Sequence, residues 1–274
     1  MTIAGMSYAD PLLRTLRAPK MAVITAYLGV TTAAELMTAF ISPSVGIAVY
    51  ALLLFTLVNH AMLLGPEPRT SEPVRVAPTR TIIPILALLP MLRMFTLVVP
   101  TGEISSLYWY VLIGAPLLTA IVFVARYTHF SPVDARIWEW SPAQGIVGAA
   151  GIPLGVIAYA ILPEAPVVDS HDIPYLLIGF AILLVCDGLL IELLFRALLQ
   201  PQICALYGTQ RGILFTAILS GVFSAGAGSV GAMLFGFVIG LGFGWYVHRY
   251  RSIIGVSIAH GMISIMTVLV LPNL

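Results

Sequence analysis

Nine apolar runs, most of them about 20 residues long, fill this chain at 22–41, 46–64, 81–99, 107–125, 145–163, 174–199, 212–226, 229–247 and 252–271. Segments of this kind leave lipid as the solvent in which the chain folds, and in lipid the backbone must satisfy its own hydrogen bonds, as a helix does. Hydrophobic residues make up 59% of the 274 positions and charged residues 9%, far below the roughly 25% of an ordinary soluble protein. The expectation is an all-α, polytopic transmembrane helical bundle forming one integral membrane domain over residues 1–274. The run at 212–226 is short enough to be broken or re-entrant, so the count is eight or nine spans.

Charge in the connections predicts an orientation. Arg14, Arg17 and Lys20 precede the first run; Arg69, Arg75 and Arg80 follow the second; Arg126 and Arg136 follow the fourth; Arg211 follows the sixth; Arg249 and Arg251 follow the eighth. The intervening connections carry acidic residues instead, among them Glu103, Glu164, Asp169 and Asp172. Short basic loops stay cytoplasmic, so nine spans would place the N-terminus in the cytoplasm and the C-terminus outside the cell membrane. No short apolar core with a small-residue cleavage site precedes 22–41, which is therefore read as a retained span.

Ionisable side chains inside such runs cost on the order of 2.5–3.5 kcal/mol each at the helix centre and so mark partners or function. Here they are Glu35, His60, Arg93, Asp187, Glu192, Arg196 and His260. Glu192 and Arg196 are four apart and share a helical face, which predicts a structural ion pair. Asp187, five before Glu192, is rotated about 140° from it on a regular helix, so the two carboxylates are expected on different faces. Ser257 and Ser264 are expected neighbours of His260. Glu35 and Arg93 carry complementary charge on separate spans, and sequence alone does not bring them together.

Cys186 and Cys204 are expected to stay reduced. Gly236, Gly240 and Gly244 recur every fourth residue, a face that lets another helix approach closely. The proline-rich 65–80 connection reads as a loop. No His/Cys cluster has metal-ligand spacing, and there is neither a glycine-rich phosphate loop nor a nucleophile elbow. Neither a metal, a cofactor nor a nucleic-acid partner is expected; the expected partners are membrane lipids.

Three segments in order carry a resemblance: Glu192-Leu193-Leu194-Phe195-Arg196, then Phe223-Ser224-Ala225-Gly226-Ala227, then His260-Gly261-Met262-Ile263-Ser264. Together they resemble the CAAX-prenyl-protease-like, bacteriocin-processing (CPBP) family of intramembrane proteases, with the motif-bearing core at 174–270. That family pairs a water-activating glutamate and a histidine with a second histidine and an asparagine that stabilise the oxyanion. The resemblance puts those four roles at Ile191, Ala227, His260 and Ser264, of which only His260 keeps the family residue. It also implies the Glu192–Arg196 pair. These replacements imply a catalytically degraded protein, a pseudoprotease binding a membrane-protein partner or a prenylated or lipid-like ligand. The alternatives are an active intramembrane endopeptidase that draws its acid–base groups from elsewhere, such as Glu35, Asp187 or His60, with Glu192 and Ser264 as further catalytic candidates beside His260, and a carrier of an apolar or prenylated molecule.

Overall fold

The computed structural model describes residues 21–64, 78–99, 106–128, 138–164, 166–168, 172–226 and 228–274. Among them are nine helices and no strand: α1 (Met21–Phe40), α2 (Pro43–Leu64), α3 (Arg80–Val98), α4 (Ser106–Tyr127), α5 (Pro142–Ile161), α6 (Ile173–Tyr207), α7 (Thr209–Phe223), α8 (Val230–Tyr250) and α9 (Ile254–Asn273). Eight are long and apolar enough to cross a membrane. The ninth, α7, has 15 residues and a rise of about 22 Å, short of the roughly 30 Å hydrocarbon core. Large apolar side chains such as Leu52, Phe55, Val238 and Trp245 point outward, as they do where the surroundings are lipid. The protein is an integral membrane protein. Residues 65–77 of the proline-rich connection lie outside the described residues, as do Arg14, Arg17, Lys20, Arg136, Glu103 and Asp169 of the charge pattern.

Proline shapes two of the helices. In α3, Pro90 offers no N–H to the Leu86 carbonyl and its ring crowds that group, and the helix is interrupted by a turn at Ala87. In α6, Pro201 removes the bond to the Ala197 carbonyl, and the preceding turns, Leu193–Leu199, are π-helical. A second π-helical stretch covers Leu184–Leu189, where the Leu190 amide reaches back five residues to the Val185 carbonyl. So α6 does not end at residue 199, as the apolar run suggests, but continues through Pro201 to Tyr207. Only Gly208 separates it from α7, with a positive φ of 85° that glycine accommodates without strain.

Small residues decide which helices meet. Gly148, Gly151 and Gly155 of α5 lie in succession against Ile258, Ala259 and Met266 of α9, so these two helices pack in parallel. The expected glycine face of α8 packs on α7: Gly236 meets Ser224, Gly240 meets Ser220 and Ala217, and Gly244 meets Ile213. Most consequential is the crossing of α6 and α9 at Gly188 and Gly261. A methyl group on Gly188 would lie 2.6 Å from the Gly261 amide nitrogen, so neither helix tolerates a side chain there.

Candidate functional site

Each glycine of that crossing adjoins a polar residue: Asp187 precedes Gly188, and His260 precedes Gly261. Backbone contact at the glycines therefore carries the polar groups of two helices into reach of one another. His260 Nδ1 lies 2.8 Å from Glu192 Oε1. One turn further along α9, the Ser264 hydroxyl donates a hydrogen bond to Asp187 Oδ2 and also approaches the His260 carbonyl at 3.3 Å.

His260 and Ser264 occupy one face of α9, so Asp187 and Glu192, which meet them, occupy one face of α6. This corrects the expectation of opposed carboxylates. The 140° rotation holds for a regular α-helix, whereas an i→i+5 turn brings residues five apart into line, and π-helical bonding covers Asp187 through Leu189.

Arg196 is near Glu192 but is not its hydrogen-bond partner. Its Nε stands 3.4 Å from Glu192 Oε2, and neither atom makes a hydrogen bond. Arg196 instead donates from Nη1 to Ser220 Oγ of α7 at 3.0 Å. Glu192 and Arg196 are 1% and 3% exposed, so the carboxylate is shared between a buried cation and an imidazole. Ser264 and Ser257 are not hydrogen-bond neighbours of the imidazole: Ser264 turns to Asp187, and the buried Ser257 hydroxyl has no partner.

Glu35 and Arg93, which sequence could not join, form a two-pronged pair between α1 and α3: Nε donates to Oε1 at 2.9 Å and Nη2 lies 2.7 Å from Oε2. Arg93 Nη2 also donates to the Phe223 carbonyl at 2.8 Å, and the guanidinium sits 5.3 Å from the Phe223 ring centre. His60 is elsewhere, with Nδ1 3.0 Å from the Tyr27 hydroxyl. Both cysteines are free.

At the crossing of α6 and α9 lies a cavity of about 460 Å³, within the ordinary range for small-molecule sites. Ile191, Glu192, Arg196 and His260 line it together with Arg93, Asp187, Phe223, Phe235 and Ile263. Ile191 and His260 thus face the same space. Of the four positions singled out by the resemblance, Ala227 lies outside the described residues, and Ser264 touches the site through Asp187.

The cavity continues past Asp187 to Trp109, Tyr110, Leu162 and Glu164 and to Ala232 at the start of α8. These residues lie at the helix ends opposite those marked by Arg126, Arg211 and Arg249, so the space opens away from the basic connections. Asp187, one turn before Glu192 on α6, carries the polar lining toward that end. Glu164, in the α5–α6 connection, has its carboxyl held above the ordinary carboxylate range, first by partial burial at the cavity wall and then by the Asp187 charge.

Sequence reasoning misses Asp187 as a companion of Glu192, and misses Ser220 and Glu164 as parts of one site, whereas Phe223 heads the second motif. The signal that could have found Asp187 is the pair of polar-glycine steps, Asp187-Gly188 and His260-Gly261. Among the described residues no group of three or more His, Cys, Asp or Glu side chains is placed to hold a metal ion.

A cavity with clustered ionisable groups at the crossing of apolar helices defines the class: a polytopic membrane protein that keeps ionisable groups together inside its bundle. Residues 173–266, from the start of α6 into α9, match the family described as type II CAAX prenyl endopeptidase, Rce1-like. The resemblance carried by the three motifs is therefore borne out over that segment, about a third of the chain, and α1–α5 lie outside it. No curated protein matches the chain, and no solved structure does.

Proposed function

We propose that this Rce1-like membrane protein binds a lipid-like or prenylated membrane ligand in the α6–α9 cavity without hydrolysing it. The observation that carries this reading is Ile191. It stands in the cavity wall where the resemblance expects the water-activating carboxylate, and an aliphatic side chain neither orients nor deprotonates water. Glu192 is a poor substitute, since its oxygens are taken up by His260 and by the charge of Arg196. General-base groups contribute on the order of 10²–10⁴ in rate and oxyanion donors about 10²–10³, so a site lacking the base and the asparagine retains little hydrolysis. What remains is a mostly apolar cavity with a polar floor, which suits an amphiphile.

One specific distance favours a second reading. A carboxylate 2.8 Å from Nδ1 is the arrangement that orients an imidazole as general base, and His260 Nε2 has no partner among the described residues. Under that reading the protein is an endopeptidase whose acid–base pair is Glu192–His260. Assay of the purified full-length protein in detergent against prenylated and unprenylated peptides separates the two. No cleavage above the level of His260→Ala is expected; cleavage that His260→Ala abolishes would establish the endopeptidase instead.

A further inference from the structure

We infer that the cavity discriminates by charge, accepting a membrane amphiphile whose polar end is a cation, an amine or ammonium group, over its anionic counterpart. This rests on reading the cavity as a ligand site and adds the chemistry of the polar end.

Charge is balanced unevenly around the cavity. Both arginines in its wall are already matched: Arg93 grips Glu35 with two nitrogens and the Phe223 carbonyl with one, and Arg196 lies against Glu192 and Ser220. An anionic headgroup would have to draw one of them from its buried partner, leaving Glu35 or Glu192, each 1% exposed, without a countercharge. Removing one member of such a pair is the expensive change.

The carboxylates are not matched in the same way. Asp187 and Glu164 line the outer part of the cavity, and among the described residues no Lys or Arg comes within ion-pair distance of either. The partner of Asp187 is the Ser264 hydroxyl. With Arg93 matched to Glu35 and Arg196 to Glu192, the acidic groups left in the cavity wall without a basic partner are Asp187 and Glu164.

Trp109 and Tyr110 line the same cavity, their rings edge to face with centres 5.2 Å apart. Carboxylates and aromatic rings lining one cavity favour a cation twice over, through Coulomb attraction and through the ring quadrupole. The apolar remainder, including Ile113, Ile161, Phe235 and Ile239, would take the hydrocarbon chain.

The test uses three amphiphiles of equal chain length, dodecylamine, dodecanol and dodecanoate, titrated calorimetrically into the full-length protein in phosphatidylcholine nanodiscs, with empty discs subtracted. Dodecylamine is expected to bind at least about tenfold tighter than dodecanoate, a modest demand on Coulomb energies in a poorly hydrated site. The double variant Asp187→Asn/Glu164→Gln should lose that preference while still binding dodecanol. Glu164→Gln alone, at the accessible end of the cavity, should reduce it and serves if the double variant does not fold. Equal or tighter binding of dodecanoate, or a preference that survives both variants, overturns the charge inference while dodecanol binding upholds the ligand site. Binding of none of the three overturns the ligand-site reading and this inference with it.

Discussion

Glu192 Oε1 and His260 Nδ1 meet at 2.8 Å across a helix crossing in which Gly188 and Gly261 provide the space. The contact joins the first and third motifs of the chain, 68 residues apart. It makes a buried carboxylate the link between an imidazole that faces the cavity and the guanidinium of Arg196.

Removing that carboxylate strands a buried cation. Glu192→Ala should destabilise the protein by about 3–5 kcal/mol, the usual cost of breaking one side of a buried pair, and Glu192→Gln should cost less because the amide still accepts a hydrogen bond from imidazole. Thermal unfolding in detergent checks the order; equal midpoints for wild type and Glu192→Ala would show that Arg196 is solvated.

The same reasoning applies at the far wall of the cavity. Glu35→Ala leaves Arg93 without its two-pronged partner and should cost a similar amount, about 3–5 kcal/mol. The loss should be largely relieved in the double variant Glu35→Ala/Arg93→Met, which removes the stranded charge. Thermal midpoints of the two singles and the double form a closed cycle.

Gly188→Val should act on both polar contacts at once. Its side chain would collide with the Ser257 carbonyl and the Gly261 backbone, and overpacking of this kind costs about 1–3 kcal/mol or more. Because α6 and α9 would have to separate, the pair Asp187→Cys/Ser264→Cys should cross-link in the parent but not in the Gly188→Val background.

Glu164 supplies a pH dependence. Its carboxyl titrates above the ordinary range in the folded protein, so the folded state holds the proton more tightly than the unfolded state does. The contribution to stability is fully present below the ordinary carboxylate value and is lost as pH rises through the raised one. Glu164→Gln should flatten that part of the curve and raise the thermal midpoint at neutral pH; a wild-type profile indistinguishable from that of the variant would mean that Glu164 is freely hydrated.

Several parts of the site are legible in the residues alone. Glu192, Arg196 and His260 stand out because charge in an apolar run is costly, and the glycines of α8 mark a tight packing face. Asp187 is misplaced by such a reading because a constant 100° per residue does not hold across a stretch that the structure widens into π-helix. Glu35–Arg93 is illegible for a simpler reason: complementary charge on two helices does not say which faces turn toward each other.

The amino-acid sequence alone determined that this protein lives in lipid, as a bundle of helices, because hydropathy and backbone hydrogen bonding act over a single run of about 20 residues. It also singled out the polar side chains that such surroundings would have to accommodate. Only the tertiary structure decided that Glu192 belongs to His260 as much as to Arg196, and that Asp187 joins them. Those pairings depend on the crossing of α6 and α9 at two glycines and on the local pitch of α6, and the crossing brings together residues 68 and 77 positions apart in the chain.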